Sequence, residues 1–126
     1  MNIPENLKYT KEHEWILVEG TTGTIGVTEY AQQELGDVVF IDIETGLAEI
    51  VCGEKFGVIE AVKTVSDLYA PCSGKVLEIN SPLNSTPETV NQDPYGAGWM
   101  IKIEITNPAE LDALLDSAAY AALIGQ

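Results

Sequence analysis

The sequence predicts a mainly β fold, a small β-sandwich or barrel with short helices at its periphery. Two observations lead to this prediction. Runs of β-branched and aromatic residues are short, and glycine or proline turn signals separate them every several residues. Helical signals are confined to short segments, and the last two of these follow the final predicted strand.

The strand assignments depend on composition and alternation. The segment 37–43 is the most apolar, and the segment 75–80 alternates polar and apolar residues, which is typical of a half-buried strand. We therefore predict strands over residues 8–9, 13–19, 22–27, 37–43, 50–51, 56–62, 65–69, 75–80 and 99–105.

The first two helices are brief. Thr28 is an N-cap candidate for a helix over residues 29–35, and Gly36 is its expected end. The long polar loop 81–98 is expected to hold one helical turn at 87–90.

The C-terminal region carries the strongest helix start. Asn107 as N-cap, Pro108 at the first helical position and Glu110 two residues later favour an α-helix. Its apolar face would consist of Leu111, Leu114 and Leu115. A second short helix over 118–124 finishes the chain.

Length and charge limit the function. The chain has 126 residues and a mass of 13.6 kDa, so we expect one domain over 1–126. The net charge is −14, and the six basic residues are all lysines. Nucleic acids and anionic membranes require clustered positive charge, so both are disfavoured as partners. An acidic surface keeps a small protein dissolved and suits docking onto basic partner surfaces.

The sequence offers no metal or targeting signal. Cys52 and Cys72 form no metal-ligand spacing with His13, the single histidine, and reduced thiols are favoured over a disulfide. The N-terminus lacks the basic and apolar regions of a signal peptide, and no segment is long and apolar enough to span a membrane. We expect a cytoplasmic protein.

A single lysine lies between two β-forming runs in the stretch 57–71. The runs predict a hairpin with Lys63 at its tip, and Lys63 is the only cation from Ala61 to Ser73. A type I turn over 62–65 is compatible with these residues, although no Asn-Gly or Asp-Gly is present. Lys63 is therefore either a solvated loop lysine or a point of covalent attachment.

Several blocks of sequence, in order along nearly the whole chain, carry a family resemblance. They are Leu7-Lys8-Tyr9, His13-Glu14-Trp15, Ile25-Gly26-Val27-Thr28, Ala31-Gln32, Leu35-Gly36-Asp37-Val38-Val39, Glu60-Ala61-Val62-Lys63, Ser66 to Gly74, Asn91, Asp93-Pro94-Tyr95 and Gly98-Trp99-Met100. On these blocks the chain resembles the H-protein family of the glycine cleavage system. The resemblance implies a lipoyl-domain fold, a barrel-sandwich hybrid of two small antiparallel sheets with added helices.

The resemblance also implies a non-catalytic carrier role. Lys63 matches the family's attachment site for lipoic acid, which lipoate-attaching enzymes join to it as an amide. The arm would receive an aminomethyl group from glycine on the P-protein, deliver it to the T-protein and be reoxidised by the L-protein. Glu14 and Asp67 match positions near the charged amine when the loaded arm folds back, and the family expectation is a monomer.

Two departures from the family pattern lie near these residues. Ala61 stands where serine is usual, and Glu12 stands where a small residue is common. Neither removes the lysine, but Glu12 adds charge to the region that shelters the loaded arm.

Other readings of the same residues remain open. A biotin carrier normally presents Met-Lys-Met, and the lipoyl domain of a ketoacid-dehydrogenase acyltransferase presents an Asp-Lys-Ala type of tip, whereas this chain has Val62-Lys63-Thr64. An H-like protein that relays lipoyl groups to other complexes and an unmodified interaction module of the same fold are closer alternatives. A thiol enzyme would need His13 beside Cys52 or Cys72, which their spacing does not support.

Overall fold

The computed structural model describes all 126 residues and contains nine β-strands. They are β1 (Lys8–Tyr9), β2 (Glu14–Glu19), β3 (Thr22–Val27), β4 (Val38–Asp42), β5 (Glu49–Ile50), β6 (Lys55–Ala61), β7 (Val65–Tyr69), β8 (Gly74–Ile79) and β9 (Ile101–Ile105). One sheet has the order β1-β2-β3-β9-β8-β5 and the other the order β4-β6-β7, and all the strand pairs are antiparallel. The predicted mainly β sandwich is confirmed, and neither sheet closes into a barrel.

The helices are short and lie between or after the strands. They are α1 (Glu29–Leu35), α2 (Thr89–Gln92) and α3 (Ser117–Leu123), with 3₁₀ helices at Ser81–Asn84 and Pro108–Ala113. None of these helices has the length and apolar composition needed to cross a membrane. The predicted N-cap of α1 is confirmed, because Thr28 Oγ1 accepts a hydrogen bond of 3.1 Å from Ala31 N.

Two apolar clusters hold these elements together. The larger one fills the space between the sheets with inward-facing side chains such as Ile16, Ile25, Ile41, Ile59 and Ile103. The smaller one joins the N-terminal segment to α3 and consists of Leu7, Tyr9, Trp15 and Tyr120. The rings of Tyr9 and Tyr120 stack with centroids 4.6 Å apart, so the C-terminal helix is attached to the first strand by aromatic packing.

Strand boundaries differ from the prediction where turns intervene. His13 was expected to begin a strand, but it has φ +72° and completes a turn in which Thr10 N donates to Glu14 O at 2.9 Å. The strand therefore starts at Glu14. The final strand starts at Ile101 rather than at residue 99, because Trp99 N donates to Gly96 O at 3.1 Å within the preceding loop.

The helix predicted from Asn107 is wrong in type and extent. Residues Pro108–Ala113 form a 3₁₀ helix, and the Asn107 side chain makes no cap bond. Glu110 does not cap the helix either, because its carboxylate accepts bonds from Ser73 N at 2.7 Å and Ser73 Oγ at 3.2 Å. The helix ends early because Leu115 pairs with Tyr9 in a β-bridge. The last helix then begins at Ser117, with Asp116 as its N-cap.

A glycine opposite Trp15 allows the indole to lie flat on the sheet. Gly26 faces Trp15 across β2 and β3, and a Cβ at position 26 would come 2.7 Å from Trp15 Cε2 and Cζ2. The ring cannot easily move away, because Trp15 Nε1 donates to Pro94 O at 3.0 Å. Close approach of backbone and ring is therefore the reason that this strand position requires glycine.

We predict that Gly26→Ala lowers the free energy of unfolding by about 1–3 kcal/mol, the usual range for overpacking a filled core. Urea denaturation would measure the change. Gly46→Ala is the matched control, since a Cβ at position 46 meets no atom within 4 Å. Equal stabilities of the two variants would contradict this account of the Trp15 contact.

Candidate functional site

The predicted hairpin is present, with Lys63 exposed between β6 and β7. The last paired residues of the two strands are Glu60 and Val65. Ala61 N donates to Thr64 O at 2.8 Å and closes the connection. This bond runs in the opposite direction to that of the type I turn predicted over 62–65, in which the residue 65 N–H would donate to the residue 62 carbonyl. Lys63 therefore lies at the tip of a closed turn.

The tip is also held from the side by the junction between α1 and β4. Val62 N donates to Asp37 O at 3.0 Å. The Lys63 side chain passes over Gly36, where a Cβ would come 3.3 Å from Lys63 Cε. Gly36 has φ +81°, which glycine adopts without strain, so it ends the helix and leaves room for the lysine.

Asn91, on α2, fixes this junction with a single side chain. Its Nδ2 donates to Gly36 O at 2.8 Å and to Gln32 Oε1 at 2.9 Å, and its Oδ1 accepts from Val38 N at 2.9 Å. Sequence reasoning gave Asn91 no role beyond its place in a matching block. Its position in a long polar loop carries no signal of the contacts that it makes 53 to 59 residues away.

A cleft of about 130 Å³ lies beside the free edge of β7. It is bordered by the turn before β2 and by α1. Its lining includes the predicted residues Glu14 and Asp67, and also Glu12, His13 and Glu34. Lys63 is not part of the lining, so the cleft and the attachment candidate are separate features of the same region.

Glu14 is a buried carboxyl without a cationic partner. Its Oε1 accepts a bond of 2.6 Å from Thr10 Oγ1, and its Oε2 accepts a bond of 3.3 Å from Tyr69 N. Burial raises the pKa of Glu14 to about 7, and the negative charge of Glu12 adds to the rise. The group can therefore gain or lose a proton near neutral pH, a property that the sequence did not reveal.

Asp67 borders the same cleft but, unlike Glu14, is paired with a cation. Its carboxylate lies 3.3 Å from Lys55 Nζ and accepts a hydrogen bond of 3.4 Å from Tyr69 Oη. It is half exposed and already paired with a cation, whereas Glu14 is buried and unpaired.

His13 and the cysteines do not form a catalytic pair. His13 Nδ1 lies 2.9 Å from Tyr120 Oη, which also bonds to Thr28 Oγ1 at 2.7 Å, and burial lowers the pKa of His13. Both cysteines are free, and burial raises the pKa of Cys72 to about 12. A nucleophilic thiol needs a lowered pKa, so the raised pKa of Cys72 does not suit a nucleophile.

We predict that the raised pKa of Glu14 makes the free energy of unfolding fall as pH rises from about 4.5 to about 7. In this window the unfolded chain releases the Glu14 proton while the folded protein retains it. The loss is up to about 3 kcal/mol. Urea denaturation at about pH 5 and about pH 8 would show Glu14→Gln gaining stability relative to wild type at the higher pH. A pH-independent stability difference between Glu14→Gln and wild type would contradict the assignment.

Comparisons with known proteins identify the family of the chain. A sequence profile of the family described as "Glycine cleavage H-protein" matches residues 7–126. The glycine cleavage system H protein of Symbiobacterium thermophilum is 60% identical over 119 residues, which cover 94% of this chain and 93% of that protein. The H protein of Bacteroides fragilis is 53% identical over 124 residues, 98% of each chain.

A solved structure is similar over the whole fold. The crystal structure of a glycine cleavage system H protein from Mycobacterium marinum superposes with a TM-score of 0.90 at 37% sequence identity. The match covers 98% of this chain and 100% of that one. The chain therefore belongs to the family of glycine cleavage system H proteins, the lipoyl carriers of that system.

Proposed function

We propose that Lys63 carries lipoic acid in amide linkage and that residues 1–126 act as one non-catalytic carrier domain. In this role the chain moves the aminomethyl group of glycine from the P-protein to the T-protein, and the L-protein reoxidises the arm. We also expect a cytoplasmic monomer. The observation that carries the proposal is the position of Lys63, exposed at a tip whose backbone is bonded both within the hairpin and to Asp37.

The free state of the Lys63 amine suits covalent attachment. The only ion pair of the chain joins Lys55 to Asp67, so no carboxylate holds Lys63 Nζ. Attachment requires the ammonium to lose a proton, after which the neutral nitrogen attacks the acyl carbon of lipoyl adenylate. The C–O bond to phosphate breaks, AMP leaves with the electron pair, and the nitrogen releases its second proton. The product amide is uncharged.

The rigid tip allows the attached arm to present its reactive sulfurs to each docked enzyme. Lipoic acid supplies a reducible disulfide that accepts the aminomethyl group and is later reoxidised. By ordinary bond lengths, the lysine and lipoyl chain together reach roughly 14 Å from the backbone. A tether of this length keeps the reactive sulfurs at high effective concentration in the active site of each docked enzyme.

The cleft beside β7 is suited to shelter a charged amine at the end of the arm. Glu14 lies in this cleft without a cation, and an ammonium group would pair with its carboxylate and favour its ionised form. Asp67 lies on the rim, but Lys55 already occupies its carboxylate. We therefore assign the main sheltering role to Glu14 and a supporting role to Asp67.

We predict that intact and peptide mass spectrometry will find one lipoyl group on the peptide that contains Lys63. The protein would be produced with a lipoate ligase and lipoate. Lys63→Arg keeps the charge but removes the nucleophilic amine, so it should remain unmodified. Lys102→Arg serves as a matched control and should be modified like wild type, because its amine lies 4.7 Å over the Trp99 ring, far along the chain from the hairpin.

Unmodified Lys63, under conditions in which a known carrier is modified, would contradict the proposal. The unmodified interaction module would then be the better description of the chain.

We predict that Glu14→Gln accelerates the hydrolytic loss of the amine from the loaded arm by about tenfold, because a neutral amide pairs poorly with an ammonium. Ammonia release without T-protein would be measured after loading with glycine and P-protein. Asp67→Asn should have a smaller effect, since its carboxylate is shared with Lys55. Equal release rates for Glu14→Gln and for the exposed control Glu49→Gln would show that Glu14 does not shelter the amine.

A further inference from the structure

We propose that four exposed apolar residues around Lys63 form the surface that the lipoate-attaching enzyme contacts. These residues are Val39, Phe40, Val62 and Val65, and we call them the tip patch. The inference rests on the proposed attachment at Lys63 and adds the surface through which the enzyme recognises that lysine.

The tip patch is unusual within this chain. Large apolar side chains are exposed at eight positions, and half of these positions belong to the tip patch. The exposed fractions are 75% for Val62, 59% for Val65, 52% for Val39 and 44% for Phe40. Several exposed apolar groups gathered near a functional residue are typical of a protein interaction surface.

The register of the smaller sheet brings these residues together. Phe40 on β4 is paired with Glu60 on β6, and Glu60 is paired with Val65 on β7. Adjacent strands lie about 4.8 Å apart, so Phe40 and Val65 are about 10 Å apart on one face of the sheet, with Glu60 between them. Val62 follows β6 directly and bonds to Asp37, next to the start of β4. An irregularity in the pairing between Val38 and Phe40 leaves Val39 exposed as well.

The charges around the tip patch define the chemistry of its partner. Glu60 lies between Phe40 and Val65 on this face, Asp37 precedes β4, and Lys63 is the only basic residue in the hairpin connection. The nearest other lysine of this sheet, Lys55, is at the opposite end of β6 and is paired with Asp67. The surface therefore complements an apolar pocket that also presents a lysine or arginine side chain to Glu60.

The short length of the unmodified Lys63 side chain identifies the lipoate-attaching enzyme as the partner. Before attachment, Lys63 Nζ extends only about 6 Å from its Cα by ordinary bond lengths. The enzyme that forms the amide must bring its activated lipoyl group to that nitrogen, so its surface must lie against the residues beside Lys63. Enzymes that use the finished arm work roughly 14 Å away and are not obliged to contact the tip patch.

The test compares lipoylation rates of folded variants. In Val62→Thr/Val65→Thr, the β-branched shape is kept while a hydroxyl replaces a methyl group, and Phe40→Thr removes the aromatic ring. The assay contains lipoate ligase, ATP and lipoate, and mass spectrometry follows the lipoyl group on Lys63. We expect kcat/KM for the chain to fall about tenfold in each variant, as for loss of a central interface contact.

A matched control shows whether the effect belongs to the surface. Leu77→Thr alters an apolar residue that is 57% exposed on β8, away from the hairpin. It should be lipoylated as fast as wild type. Thermal unfolding of Val62→Thr/Val65→Thr and of Leu77→Thr should give midpoints close to that of wild type, because these side chains are mostly exposed. Phe40 is only 44% exposed, so Phe40→Thr should have a lower midpoint and is assayed at a temperature at which it is folded.

The outcomes separate this inference from the proposed function. If wild type is lipoylated at Lys63 and the tip-patch variants react as fast as Leu77→Thr, the inference is wrong and the attachment site stands. If Lys63 of wild type is not lipoylated at all, both fail. If the tip-patch variants dissociate a dimer or weaken docking of the P-protein while their lipoylation is unchanged, the surface belongs to that other partner and the inference is overturned.

Discussion

The placement of Lys63 depends on the polar junction at Gly36 and Asp37. Asn91 bonds both sides of this junction, and the Asp37 carbonyl then accepts the bond from Val62 N at the hairpin tip. Each of these contacts satisfies a backbone group that would otherwise be unpaired where a helix ends or a strand begins. The same bonds that complete the secondary structure therefore also fix the lysine. A carrier needs this coupling, because an arm on a loose loop would spread its reactive end over many positions.

In the proposed function, Glu14 is a site residue whose burial lowers the stability of the fold. Burying a carboxyl without a cation is unfavourable, and the two hydrogen bonds from Thr10 and Tyr69 offset only part of the desolvation. The larger apolar core and the Tyr9–Tyr120 stack supply the stability that allows such a group. In the proposed function an arriving ammonium would provide the missing charge. Because Glu14 is shielded from water, its carboxylate would attract an ammonium group more strongly than an exposed carboxylate would.

The sequence predicted local features well and long-range ones poorly. Thr28 and Gly36 delimit α1 as expected, because capping depends on nearby residues. Asn107 failed as a helix start because Glu110 bonds to Ser73 and Leu115 pairs with Tyr9, contacts that no local pattern encodes. The hairpin and Lys63 were predictable from β propensity, and the resemblance supplied Glu14 and Asp67. It could not tell that one carboxyl is buried and the other paired with Lys55, since both differences arise from packing between distant segments.

Long-range electrostatic attraction and short-range apolar contact both act at the hairpin. The net charge of −14 acts over about 10 Å in solution and attracts any basic partner, so it speeds encounter without selecting among the enzymes. Apolar contact acts only where surfaces touch, and the tip patch is small and borders the lysine. In the inference proposed above, this contact selects the enzyme that must reach the bare amine, whereas enzymes that use the arm are not obliged to make it. One short hairpin can therefore be specific for the enzyme that modifies it and remain accessible to the enzymes that use it.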